Sequence, residues 1–238
     1  LTSILTDSWE AAQQNWTANF AQEFRARRGY DLPTFLPVLT GRVVQSLAET
    51  EGFLEDFRRT CSDLIVENYF GEMRRLAEAH GLRYYGESYG GKTYNESQAA
   101  TQVGVNMGEF WFTPDRDKFN VGGIKARASV AHTHGRTLVA AESFTATQLD
   151  AGWSANPRLL KPVGDHAFSH GLNQIFLHSY VHQPYAELAP GFTVGSSGTN
   201  FGRLNTWWPQ AGAWIDYLAR CQFLLRQGER SEEHTSEL

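Results

Sequence analysis

Cysteine is almost missing from this sequence, with 2 in 238 residues. Cys61 and Cys221 are too few and too far apart for a disulfide framework or a zinc ribbon, and in helix-like text each reads as a buried free thiol. Long apolar runs are missing too: no stretch approaches about 18 consecutive apolar residues, which excludes a membrane-spanning helix. No sign of charge dominates. With 21 Lys+Arg against 26 Asp+Glu, a net −5, and no block of like charges, the chain has no electrostatic footprint for nucleic acid or an anionic membrane surface. No Gly-x-Gly-x-x-Gly follows the first strand candidate, no Walker-type loop exists, and His-Glu-x-x-His is absent, so the phosphate cradle of a dinucleotide fold and a helical zinc site lack support.

What is present is a chain 41% hydrophobic and 13% aromatic, long enough at roughly 150 residues per domain for one sizeable core. Its periodicity alternates. Ser3 to Trp9 reads as a strand, and Ala11 to Arg28 as a helix with Trp16, Phe20 and Phe24 on one stripe. Past a loop marked by Pro33 and Pro37, a long helical segment runs from about Val43 to His80, with Gly52 and Gly71 as weak points and Gly81 closing it. Leu82 to Gly86 reads as a strand and Ser88 to Gln98 as a polar linker. Strand text follows at Val103 to Gly108, Thr137 to Ala141 and Gln174 to Ser179. Helical text fills Gly122 to His134, Pro157 to His170 and Ala213 to Gln227. Strands alternating with helices imply βαβ units and a parallel sheet. The expected class is α/β, an incomplete (β/α)8 TIM-type barrel made of about the last five strand-helix units. Residues 1–228 form this partial domain, and residues 229–238, which follow a helix stop and match no upstream periodicity, are treated as a non-native tail.

Four of the five strand candidates end at a glutamate: Glu10, Glu87, Glu109 and Glu142. In a parallel barrel such positions share the rim where active sites are built. A single glutamate at a strand end is ordinarily a solvated side chain. Four on one rim repel and raise one another's pKa unless chemistry or a cation uses them. Glycoside hydrolysis needs this supply, one carboxylic acid to protonate the leaving oxygen and one carboxylate as base or nucleophile. Aromatic residues at or past strand ends (Trp9, Tyr89, Trp111, Phe144, Tyr180, Trp207 and Trp208) offer flat faces to sugar rings, or else plug the core.

His178 and His182, at a strand end and in the following loop, suit hydrogen bonding to sugar hydroxyls. His132 and His134 sit at a helix end, where metal chelation by the pair alone is weak. The loop from Gly198 to Trp208, with Arg203, Asn205 and Trp207, has the make-up of a polar-ligand clamp, or of a connection packed under the barrel mouth.

At these residues the sequence resembles glycoside hydrolase family 106, the bacterial α-L-rhamnosidases. The matching text is Asp7-Ser-Trp-Glu10, Asn15-Trp-Thr17, Arg28-Gly-Tyr-Asp31, Leu36-Pro, Thr40-Gly-Arg42, Gly108-Glu-Phe-Trp111, Ala141-Glu-Ser-Phe-Thr145, Leu160-Lys161 with Asp165, His178 to Pro184, and Phe201 to Trp208. The resemblance implies an inverting, calcium-dependent hydrolase of terminal α-L-rhamnosyl residues. It implies Glu10 as general acid, Glu142 as general base and Glu109 as a third essential carboxylate, the division between Glu109 and Glu142 staying open. Asp7, Trp9, Glu87, Trp111, His178, His182, Arg203, Asn205 and Trp207 are the expected substrate-binding residues. The calcium ligands have no motif to place them, and oxygen donors are expected.

Carbohydrate is the expected partner, together with the barrel strands and accessory domains that family members carry and this chain lacks. By analogy the parent is expected to be periplasmic or secreted. Two other readings stay open: a retaining TIM-barrel glycosidase acting on another sugar, and a catalytically inactive carbohydrate-binding barrel.

Overall fold

The computed structural model describes residues 1–113, 122–147, 149, 151–185 and 187–228. The proposed tail, 229–238, lies outside the described residues. Five parallel-type strands alternate with helices along the chain, the α/β class of an incomplete (β/α)8 TIM-type barrel. The chain divides into two compact units, Leu1–Gly104 and Val105–Leu238.

In the first unit β1 (Ser3–Thr6) and β2 (Arg83–Glu87) pair in parallel, Ser3 opposite Arg83 and Thr6 opposite Gly86. The connection between them is helical. The first helix, α1, is Phe20–Arg28 rather than the expected Ala11–Arg28. Ala12 takes a left-handed φ of 58°, which a growing helix does not accommodate. The apolar stripe survives only in part: Phe20 and Phe24 are buried, while Trp16 stays half exposed and leans on the Phe20 ring. Leu32–Thr40, expected as loop, winds into a 3-10 segment.

The long helix anticipated from Val43 begins at Leu47. Ser46 caps it by accepting from the Glu49 N–H while its hydroxyl donates to Glu49 Oε2 at 2.6 Å, an N-cap that satisfies one of the helix's orphan donors. From Leu47 the helix is continuous but not uniform: α2 (Leu47–Ile65) passes through a π-helical stretch, Val66–Gly71, into α3 (Glu72–Ala79). Gly52 does not interrupt it, whereas Gly71 lies in the widened turn, and Gly81, at φ 65°, ends it. A short helix, α4 (Glu96–Gln102), capped by Asn95, follows β2 where only a polar linker was expected.

Two apolar clusters hold this unit. Phe20, Phe24, Leu32, Phe53, Phe57 and Cys61 bind α1 to α2, and Val66, Phe70, Tyr84, Tyr94 and Val103 seat the π-helical stretch on the strands.

The second unit contains β3 (Val105–Trp111), α5 (Gly122–Thr133), β4 (Val139–Thr145), α6 (Pro157–Ser169), β5 (Gln174–Leu177) and α7 (Gly212–Leu225). β3, β4 and β5 pair in parallel in that order. Phe110, Ala141 and Phe144 pack with Ile124, Leu160, Val163, Trp214 and Leu218 in one buried cluster on the helix side. Because side chains alternate across a strand, Glu109 and Glu142 project from the opposite face.

Strand bounds differ from expectation in a way that matters for the site. β2 does end at Glu87, but Glu10 lies in the loop four residues beyond β1, and Glu109 and Glu142 sit within β3 and β4 rather than at their last residues.

Candidate active site

The first unit presents Asp7, Trp9, Glu10 and Glu87. Asp7 directly follows β1 and Glu87 ends the neighbouring β2, so both carboxylates leave the same end of a parallel pair. An oxygen of each lies within 4.8 Å of the other. Glu87 is buried, only 2% exposed, and accepts a 2.6 Å hydrogen bond from the Tyr89 hydroxyl at Oε2.

The loop after β1 is pinned rather than free. Trp9 N–H donates to the Tyr89 carbonyl at 2.9 Å and its indole Nε1 to the Ala12 carbonyl at 2.9 Å. Its ring stands edge-on to Tyr69 and Tyr94, at centroid distances of 5.3 and 5.7 Å. Gly90, at φ 90°, passes so close that a Cβ there would lie 2.9 Å from the Trp9 carbonyl oxygen. Beyond this anchor Glu10 is exposed and accepts from the Ser8 hydroxyl at 3.1 Å.

The second unit presents Glu109, Trp111, Glu142 and His178. Glu109 and Glu142 are register partners on adjacent strands, which lie about 4.8 Å apart, so the two carboxylates stand side by side on one face. Trp111 closes β3. Glu142 is hydrogen bonded through Oε1: the Thr145 hydroxyl donates to it in a short contact, and His178 Nδ1 lies 3.2 Å away. Thr145 Oγ1 and His178 Nδ1 are themselves 3.0 Å apart.

Thr145 reaches Glu142 because the strand bulges. Phe110 pairs with Ser143 and Trp111 with Thr145, leaving Phe144 as the extra residue, in a left-handed conformation at φ 63°. The bulge turns Phe144 into the helix-side core and brings Thr145 to the same face as Glu142, three residues on.

The remaining candidates fall in the segment after β5. Asn205 is buried and donates its amide to the Asn200 carbonyl at 2.8 Å, and Trp207 Nε1 donates to the Ala155 carbonyl at 2.7 Å. Arg203 donates to the Gln183 carbonyl in a short contact, bracing one part of the loop against another. His182 is exposed. The residues that approach the strand ends are instead Gly198 and Thr199. Gly198 N–H donates to the Ala146 carbonyl at 2.7 Å, Thr199 N–H to the His178 carbonyl at 2.9 Å, and the Thr199 hydroxyl to the Phe144 carbonyl at 2.6 Å. Thr145 and Thr199 were not among the expected site residues.

Carboxylates in and just beyond the strands, two of them adjacent and one held by a hydroxyl donor, are the equipment of acid-base hydrolysis. A model of glycoside hydrolase family 106, alpha-L-rhamnosidase, matches residues 1–233. The chain belongs to this family. A Formosa agariphila protein named "Putative beta-glucuronidase" is 42% identical over 233 residues, spanning 96% of this chain and 19% of its own length. The solved structure of a rhamnosidase from Novosphingobium sp. PP1Y superposes with a TM-score of 0.86 at 33% identity, covering 96% of this chain and 22% of that one. The chain thus spans about a fifth of the length of these two relatives. It is a family 106 segment in sequence and in fold.

Proposed function

We propose that the protein to which this chain belongs hydrolyses terminal α-L-rhamnosyl linkages by single displacement with inversion. Glu142 takes a proton from water as the water oxygen attacks the anomeric carbon. Glu10 gives its proton to the departing glycosidic oxygen as that carbon-oxygen bond breaks, leaving a free sugar and a free alcohol. The observation that carries the reading is the state of Glu142, a carboxylate accepting from a hydroxyl and within reach of an imidazole nitrogen on one oxygen. A donor and an imidazole at one oxygen orient the carboxylate and leave its other oxygen for the proton of water, which is the geometry a base requires. Glu10 lies in a solvent-exposed loop, where among the described residues the Ser8 hydroxyl meets it, so water can resupply the proton it gives away. Glu109, next to the base, adds negative potential where positive charge develops at the anomeric carbon.

Calcium fits the first unit. Asp7 and Glu87 offer hard oxygen donors within 4.8 Å of each other, a spacing that two ligands of one ion with Ca–O distances of about 2.3–2.6 Å can adopt. When bound there the ion would supply coordination sites for sugar hydroxyls. The Tyr89 hydroxyl, donating to Oε2, orients the Glu87 carboxylate.

A second reading, hydrolysis of a β-glucuronide, takes its support from the name of the Formosa relative. Side-by-side carboxylates at Glu109 and Glu142 favour a neutral sugar over a uronate, whose own carboxylate they would repel. The test is turnover of the full-length protein on aryl α-L-rhamnoside and aryl β-D-glucuronide, with Glu142→Gln and Glu10→Gln as controls. Rhamnoside cleavage lost in both variants supports the proposal; glucuronide cleavage alone, or near-normal turnover by either variant, overturns it.

A further inference from the structure

Thr145 and His178 carry chemistry that the reaction above does not use, and both meet the same oxygen. We propose that they are positioning residues for Glu142: together they fix which carboxylate oxygen faces the attacking water. This inference rests on Glu142 being the base.

Counting protons assigns the network. An ionised carboxylate only accepts, so the single Thr145 hydroxyl proton goes to Glu142 Oε1. The 3.0 Å contact between Thr145 Oγ1 and His178 Nδ1 then needs its proton from the imidazole, which places a hydrogen on Nδ1. The same Nδ1–H lies 3.2 Å from Glu142 Oε1. The Thr145 hydroxyl is therefore the hydrogen-bond donor on Oε1, and the imidazole orients that hydroxyl while standing beside the same oxygen. Among the described residues Oε2 has no hydrogen-bond partner, and it is the oxygen left to take the proton from water.

The backbone makes the arrangement specific. Without the extra residue at Phe144, Thr145 would turn to the helix side and Oε1 would lose its hydroxyl donor. The segment after β5 clamps the bulge: the Thr199 hydroxyl is bonded to the Phe144 carbonyl and the Thr199 N–H to the His178 carbonyl. Gly198 makes this approach possible, because a Cβ there would lie 2.7 Å from Ser179 Oγ. Thr145 is fully buried and His178 about a quarter exposed, so solvent does not replace Thr145 when it is removed.

Steady-state kinetics of the full-length protein on an aryl α-L-rhamnoside test this, with Thr145→Val, Thr145→Ser, His178→Ala, His178→Asn and Glu142→Gln compared. Losing the hydroxyl bond to the carboxylate in Thr145→Val, or the imidazole that orients that hydroxyl in His178→Ala, predicts a fall in kcat of about 10–100-fold with KM little changed. Thr145→Ser keeps the hydroxyl and His178→Asn puts an amide N–H near the Nδ1 position, so both are expected to recover most of kcat. A rise in KM at constant kcat would make the pair substrate contacts and overturn the inference, as would equal defects in the conservative and non-conservative variants. If Glu142→Gln itself turns over normally, the assignment of the base fails. If Glu142→Gln is inactive while Thr145→Val and His178→Ala match wild type, only the positioning role fails. Should Thr145→Val not fold, Thr145→Ser against His178→Ala decides the same question.

Discussion

Residue by residue, the candidate carboxylates differ in their surroundings. Glu142 has a hydroxyl donor and an imidazole nitrogen at one oxygen, whereas Glu10 stands in solvent and, among the described residues, meets the Ser8 hydroxyl. The predictions differ accordingly. Removing a general base costs about 10²–10⁴ in rate, so Glu142→Gln should lower kcat by that range whatever the leaving group. Glu10→Gln should be severe on alkyl rhamnosides and mild on dinitrophenyl rhamnoside, whose leaving group needs no proton; equal losses on both would contradict the acid role.

Cys61 gives a second residue-scale prediction. Burial pushes its thiol up to about 11, so the folded state holds its proton at a pH where the unfolded chain has lost it. The unfolded state then binds fewer protons, and stability falls as pH rises from about 8.5, the ordinary thiol value, toward the folded one. Denaturant midpoints should drop across that window, and Cys61→Ala should flatten the drop. The glutamates were legible in the sequence because they recur at the ends of apolar runs. Thr145 was not, because a two-residue period places it on the wrong face until the bulge is known, and Asn205 and Trp207 share their composition with a binding loop while bonding to backbone carbonyls instead.

At the element scale the decisive feature is the bulge in β4. Phe144, in its left-handed conformation, meets α6 where Gly164 leaves room: a Cβ at Gly164 would lie 3.0 Å from Phe144 Cζ. Gly164→Ala should therefore destabilise the fold by about 1–3 kcal/mol, the usual cost of overpacking, and lower kcat through a displaced bulge, seen as a reduced Tm together with a kinetic defect. Asn156→Ala, which removes the cap at the far end of the same helix, should cost about 1 kcal/mol with kcat unchanged. That contrast separates pressure on the bulge from general loss of helix stability.

Most elements could be read from periodicity, and where they could not the reason is local. The helix expected from Ala11 starts at Phe20, the left-handed Ala12 barring it from the first residues of that stretch, and α4 escaped notice because its sequence, Glu96–Gln102, offers two alanines to the core and no larger apolar side chain.

At the scale of the whole molecule, the alternation of strands and helices sufficed to predict an incomplete (β/α)8 barrel, and family membership over residues 1–233 places the chain as about a fifth of its relatives. On α7 Phe223 and Leu224 are 65% and 67% exposed, adjacent apolar side chains of the sort that are rarely left to water together. The 238-residue chain on its own is therefore expected to self-associate, elute above its 26.7 kDa mass in size-exclusion chromatography with light scattering, and shift toward monomer in a Phe223→Lys, Leu224→Glu variant. A monomer at every concentration would show that the face is tolerated.

The proposed attack by water predicts inversion, and the anomer first released by the full-length protein reads it out. Proton NMR at early times on an aryl α-L-rhamnoside should show β-L-rhamnose before mutarotation; α-L-rhamnose as first product would contradict a single displacement with Glu142 as base.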